Sequence, residues 1–324
     1  MNEQKFVKKF TIVQLGHLGV GGVFGIAPRG REQNNQQEWI RKCWDESKKI
    51  FGIPRKYPTL LIVGGEPIEG RNKKEEEEGI WIPRLDDQIK ASAKVIAEWI
   101  GTETKVLILY SHTYHGSSEM RVEALLETEL KTLFPNNEII SGIEFKRSYF
   151  GKTLRFRHGD SGGYVYLATG NERNIKFNLQ EVGLGKVTKV DQNYEFHTHR
   201  LASAIYETLQ STWCPCWKLL DIFGQFKKPD AWCPDIGMMI TTFEKRYGSI
   251  RVNNDALIFH APFEFEDLEQ SKIQFKGWLD RENRKDQIRV KKLLSKKDEK
   301  VEVQLISPEK DSRLHSILAR EEGD

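Results

Sequence analysis

The chain has 324 residues, enough for one large domain or two small ones with a sizeable core. Its 50 Lys and Arg against 47 Asp and Glu leave a formal net charge of +3, which gives no global argument for binding nucleic acid. No run of 18 or more apolar residues occurs, so the sequence offers no membrane-spanning helix.

The first residues, MNEQKFVKKF, lack the apolar core of a signal peptide. The four cysteines, Cys43, Cys214, Cys216 and Cys233, are too few for a disulfide framework in a chain of this size. A cytoplasmic location is the resulting expectation.

In chain order, KKFTIVQL (8–15) reads as a buried strand, followed by the glycine-rich loop GHLGVGGVFG. QEWIRKCWDESKKIF (37–51) reads as a helix, with Trp39, Ile40, Cys43, Trp44 and Ile50 near helical spacing. PTLLIVGG (58–65) is a second buried strand ending in glycines, and the charge run RNKKEEEEG reads as a solvated loop. In LDDQIKASAKVIAEWIG (85–101), Leu85, Ile89, Ala93, Ile96 and Ile100 line one helical face and Gly101 suits a C-terminal cap. TKVLILYS (104–111) is a third buried strand, and SSEMRVEALLETELKTLF is a helix with Ser118 as its expected cap. From about residue 139 the pattern turns β-rich: KTLRFRHG, GYVYLAT, LASAIYETL, IGMMITTFE and RVNNDALIFHAPFEF. Residues 1–278 are expected to form one domain and 279–324 a charged peripheral extension.

The first half thus alternates strand and helix, which argues for a parallel sheet covered by helices. In such sheets chemistry gathers in the loops after the carboxyl ends of strands. Six of the eight histidines fall in loops of that kind: His17, His112, His115, His158, His197 and His199, with only His260 and His315 elsewhere. The loop after the second strand carries carboxylates instead, in Gly65-Glu66-Pro67-Ile68-Glu69-Gly70. If these loops converge, imidazoles and carboxylates form a divalent-metal site, since both are ordinary ligands of Zn, Mn and Fe. In an extended segment His197 and His199 share one face and both reach a single dinuclear site.

At VDQNYEFHTHRLA (190–202) the sequence resembles the Gly-His-x-His block of the calcineurin-like metallophosphoesterases. Asp191, Tyr194, His197, Thr198, His199, Arg200 and Leu201 fit that block, and Phe196 replaces its glycine. Four further stretches resemble the remaining blocks in order: IVQLGHLGVGGVFG, LLIVGGEPIEG, VLILYSHTYHG and LRFRHGDSGG, so the resemblance spans about residues 8–245. It implies a four-layer α/β/β/α sandwich and two divalent ions, Mn, Zn, Fe or Mg. The implied ligands are His17, Glu66, His112, His158, His197 and His199, with Glu69, Asp160 and Asp191 bracing them. It also implies hydrolysis of a phosphomonoester or phosphodiester, nucleotides and nucleic acid included, with His115 or His112 protonating the leaving oxygen.

The chain departs from the family at several positions. In the first block, either His17 is the block's histidine and Leu15 replaces its aspartate, or His17 stands at the aspartate and Gly19 at the histidine. Glu66 and Glu69 replace aspartates, one methylene longer. In the third block, His112 stands near the asparagine, and either His115 or, by strict count, Thr113 stands at the catalytic histidine. A degenerate member that keeps the fold as a binding or structural module is therefore a second reading.

Three other motifs fit the chain less well. Gly159-Asp160-Ser161-Gly162-Gly163 spells the nucleophile loop of chymotrypsin-like proteases, but the chain has helical stretches, lacks an export signal, and continues with Tyr164 rather than proline. A dinucleotide-binding loop at residues 14–19 needs a glycine where Gln14 stands, and no strand places an acidic residue about 20 positions on. WCPCW (213–217) with Cys233 suggests zinc–thiolate binding, but a single residue separates its cysteines where two are usual, and the expectation is buried small apolar residues beside tryptophans. Its tryptophans and Asp235 are alternatively expected to shape a substrate mouth.

Overall fold

The structure is a computed structural model that describes residues 8–71, 79–111, 122–159, 169–206, 209–220, 234–246 and 249–260. The expected strand at 163–168, the Ser118 cap and the extension at 279–324 lie outside these residues.

The first half runs β1 (Lys8–Leu15), α1 (Asn35–Phe51), β2 (Leu60–Val63), α2 (Leu85–Ala97), β3 (Lys105–Leu109), α3 (Val122–Leu133) and β4 (Ile139–Gly142). The second runs β5 (Glu144–Tyr149), β6 (Lys152–Arg157), α4 (Thr169–Gly183), β7 (Gln192–Glu195), β8 (Ala202–Tyr206), β9 (Leu209–Trp213), β10 (Ile236–Arg246) and β11 (Ser249–Phe259). One sheet has the order β11-β10-β1-β2-β3-β4 and the other β5-β6-β7-β9-β8. β1 to β4 are parallel, with Leu15 opposite Val63 and Val63 opposite Ile108. The β10–β11 hairpin joins antiparallel on the outer side of β1. In the second sheet β6, β7 and β9 are parallel, with β5 and β8 antiparallel at the edges.

The strand sequences explain the layering. β2 and β3 are apolar on both faces, the pattern of strands covered from both sides. Leu61, Val63, Val106 and Ile108 enter the core under α1–α3, with Trp44, Leu126 and Leu130. Leu60, Ile62, Leu107 and Leu109 point the other way, into a second core shared with Leu154, Phe156, Tyr194 and Phe196 of the second sheet. Ile175 of α4 packs on the outside of that sheet against Val190 and Leu209. The result is the four-layer α/β/β/α sandwich that the resemblance implies.

Several local expectations are corrected. Asn34 caps α1 by accepting from Gln37 N, and Gly52 closes it at φ +81°. Ile50, expected on the buried face, is 56% exposed, and Phe51 is buried instead. α2 ends at Ala97 rather than at Gly101. Gly101 serves packing: a Cβ there would stand 2.6 Å from the Tyr57 ring. LASAIYETL is two strands, β8 and the start of β9. The largest miss is α4, a helix inside the stretch read as β-rich. Its inward face carries Asn171 and Asn178 beside Ile175, and Asn171 Nδ2 donates to Ala202 O at 3.1 Å. Polar residues on the buried side hide the 3.6-residue apolar period.

Candidate metal centre

Four loops at the carboxyl ends of parallel strands meet at one edge, where the two sheets face each other. β1 leads into His17, β2 into Glu66, β6 into His158, and β7 into His197 and His199. Backbone hydrogen bonds stitch these loops together. Gly64 N donates to Leu15 O at 2.7 Å, Trp217 N to His17 O at 2.7 Å, and Asp235 N to His199 O at 2.8 Å. Leu18 N donates to Glu66 O at 3.2 Å.

Two site residues sit in the left-handed region without being glycine: Glu66 at φ +50° and His199 at φ +58°. Such conformations cost about 1–3 kcal/mol and persist where surrounding structure over-determines them, as at functional sites. Contrary to expectation, His197 and His199 do not share the face of an extended segment. A bend with a left-handed His199 aims them at different partners.

Two glycines make the approach of the sheets feasible. A Cβ on Gly64 would stand 2.1 Å from the Phe196 ring. The bulk of Phe196, where the resembled block has glycine, is accommodated by the missing side chain of Gly64. Gly65 lies at φ +93°, and a Cβ there would stand 2.5 Å from His158 Nδ1. Gly65→Ala is expected to destabilise by about 1–3 kcal/mol and to displace His158. Urea unfolding together with metal titration checks this, and an unchanged midpoint with unchanged metal content would contradict it.

Glu66 is the centre of the cluster. Its Oε2 lies 2.7 Å from His17 Nδ1 and 3.7 Å from His199 Nε2. Its Oε1 lies 3.6 Å from His158 Nε2 and 3.8 Å from His197 Nδ1. The imidazoles also face each other in pairs: His17 Nδ1 to His199 Nε2 at 2.8 Å, and His197 Nδ1 to His158 Nε2 at 3.1 Å. The donors thus form two triads, His17–Glu66–His199 and Glu66–His158–His197, which share Glu66. Within each pair the nitrogens are also at hydrogen-bond distance. The donor types and their convergence fit divalent metal ions.

The two buried imidazoles are shifted in opposite directions. Burial drives the His17 pKa well below its usual value, against the attraction of Glu66, so the imidazole is held in the neutral form a metal ligand needs. For His158, burial lowers the pKa, but the Glu66 carboxylate and the Gly64 carbonyl outweigh it and leave the pKa raised. His158 Nδ1 lies 2.8 Å from Gly64 O, and a carbonyl only accepts. Nδ1 therefore carries a proton, which leaves Nε2 as the atom with a lone pair for the cluster whenever the ring is neutral.

Glu69, from the same loop, does not turn into the cluster. Its Oε1 accepts from Lys218 Nζ at 2.8 Å, and both side chains are 2% exposed. His17 Nε2 and Glu69 Oε2 lie 3.3 and 3.1 Å from where a Gly19 Cβ would stand, so this buried ion pair backs the His17 side of the centre. A lysine is almost never fully buried unless paired. Lys218 was not singled out in the sequence, where it follows WCPCW as one charge among many. Nor was Asp235 read as a brace for the His199 loop: its Oδ2 accepts from Leu201 N at 2.6 Å.

Of the other expected site residues, His112, His115 and Asp160 lie outside the described residues. Asp191 precedes β7, at the end of that strand away from the histidines, and its carboxylate accepts from Thr153 N at 2.8 Å and Lys152 Nζ at 3.1 Å. Leu15 is buried in the helix-side core. Of the zinc–thiolate reading, Cys233 lies outside the described residues, and Cys214 and Cys216 do not share one core. Cys214 lies in the core between the sheets, whereas Cys216 lies in the core under the helices. Burial pushes the Cys216 thiol up to about 12. Trp213 and Trp217 are likewise buried rather than at a mouth: Trp213 Nε1 donates to Glu195 Oε2 at 3.2 Å and Trp217 packs edge-on to Trp44.

No protein-family model and no curated protein matches this chain. Solved structures similar to it include Vps29 from Entamoeba histolytica complexed with zinc, at 10% identity and TM-score 0.35, covering 76% of this chain and 99% of that one. An archaeal phosphodiesterase is similar at 11% identity and TM-score 0.36, covering 76% and 100%. Vps29 from Chaetomium thermophilum is similar at 9% identity and TM-score 0.35, covering 78% and 98%.

Proposed function

We propose that this chain is a calcineurin-like metallophosphoesterase, hydrolysing a phosphomonoester or phosphodiester at a two-metal centre. The observation that carries the reading is Glu66, with one carboxylate oxygen facing each of two imidazole pairs. In this reading His17, Glu66 and His199 hold one ion, and Glu66, His158 and His197 hold the other. Divalent ions there would polarise a phosphoryl oxygen and lower the pKa of water toward neutrality.

The chain's own groups supply position and protons. Glu66 fixes the separation of the two triads. The Gly64 carbonyl locks the ring of His158. His17, Glu66 and His158 are 2–3% exposed at their side chains, whereas His197 and His199 are 27% and 19% exposed. Substrate therefore approaches from the His197–His199 side. His115 or His112, both after β3 in the sequence, is the group proposed to protonate the leaving oxygen.

The test is hydrolysis of a generic aryl phosphodiester and an aryl phosphomonoester with added Mn or Zn, beside a His197→Ala/His199→Ala variant. That variant is expected to lose at least about 100-fold in rate, since it removes a ligand from each triad. Equal rates for the two proteins would remove this site as the source of activity. A second reading, a metal-binding module without catalysis, is favoured by one observation: Leu15, packed in the core, leaves the first strand's end without a carboxylate. Metal retained with neither ester hydrolysed would decide for it.

A further inference from the structure

The donor set bears on which ions the centre holds. Among the described residues, four imidazoles and one carboxylate turn into the cluster, so each triad has two nitrogens to one oxygen. The next carboxylate of the same loop, Glu69, gives an oxygen to Lys218 Nζ at 2.8 Å instead. The one carboxylate among these described residues supplies a single negative charge for two dications. Such a centre relies on the affinity of the ion for neutral nitrogen. Imidazole suits Zn, Cu, Fe and Ni, while carboxylate and water suit Mg, Ca and Mn. Magnesium in particular keeps several waters and demands octahedral oxygen. Here His17, Glu66 and His158 are almost wholly enclosed.

His17 is the imidazole in closest contact with its triad, 2.7 Å from Glu66 Oε2 and 2.8 Å from His199 Nε2. We propose that this is a nitrogen-dominated centre selective for zinc-class ions over manganese and magnesium, and that His17 is a selectivity-determining residue in it. The proposal rests on reading the cluster as a metal centre, and not on its hydrolysing an ester.

Zinc binds more tightly than manganese at most mixed sites, so a bare preference decides little. The informative quantity is the change in the ratio of the two affinities when nitrogen is exchanged for oxygen. The full chain is stripped with a chelator, and its Kd for Zn, Mn and Mg is measured by competition with a fluorescent chelator. Bound metal is counted by plasma mass spectrometry. His17→Asp is expected to lower the Mn-to-Zn ratio of Kd values by about tenfold or more. His199→Asp makes the same exchange in the same triad and is expected to act in the same direction, so a folding defect in one variant leaves the other to decide. An unchanged ratio in the folded variants overturns the proposal, as does wild-type protein that holds Mn or Mg as tightly as Zn. A chain that retains no metal overturns the proposal together with the metal-centre reading. Zinc retained, with the ratio shifted but no ester hydrolysed, supports the proposal and sinks the phosphoesterase reading alone.

Discussion

Glu66→Gln is expected to strip metal from both triads at once. The side chain keeps its length, but the carboxylate that faces the four imidazoles, the only one among the described residues, becomes a neutral amide. One of its two oxygens becomes an NH2 group, which donates and cannot ligate. Altering a group that merely orients a ligand costs about 10–100-fold in metal affinity, so losing the shared ligand is expected to cost at least about 100-fold at each position. Any phosphodiester hydrolysis should fall with it. Any single histidine replacement removes a donor from one triad, whereas this one removes charge from both. Equilibrium dialysis against Zn, with circular dichroism to confirm the fold, reads the result. Metal content equal to wild type would show that Glu66 does not bridge the two triads. Loss from one triad only would reduce the centre to a single ion.

Lys218→Met is expected to be the most destabilising single change at the site, by about 3–5 kcal/mol. The cause is not the loss of an attractive contact alone. The carboxylate of Glu69 would stay at 2% exposure without the ammonium that stands 2.8 Å from it. An ionised group left in that position bears the full desolvation cost. Replacing both partners by apolar residues of similar volume is often neutral or favourable. Lys218→Met/Glu69→Leu is therefore expected to recover most of the stability that Lys218→Met loses. Urea unfolding of the two single variants and the double variant gives the coupling directly. Strict additivity would mean that the pair does not act as a unit. Both side chains lie behind His17, so the single variant is also expected to weaken metal binding in the His17 triad.

Much of this was written in local sequence. PTLLIVGG and TKVLILYS are apolar on both faces and bounded by turn residues, and they fold as central parallel strands because only a strand covered from both sides can bury every residue. The histidines stand immediately after strands, and parallel strands bring such positions to one edge. His17, Glu66, His158, His197 and His199 could thus be grouped before any coordinate was known. α4 could not be read, because Asn171 and Asn178 occupy its inner face and their contacts are with the second sheet, not with their sequence neighbours. Asp191 was read from its place in a motif, yet its strand runs from it toward the histidines, so the length of β7 separates them.

By itself, then, the sequence determined the alternation of strands and helices, the parallel first sheet, and which residue types would gather at its carboxyl edge, since these follow from periodicity and from the one direction of parallel strands. Only the tertiary structure decided how the donors are shared. That Glu66 faces two imidazole pairs depends on how far apart the two sheets stand, which Gly64 and Phe196 set by size. That Glu69 is turned from the cluster depends on Lys218, 149 positions away in the chain. Spacing along a chain fixes which face a side chain takes, but the partner across a core is fixed by packing, and packing is a property of all the layers together.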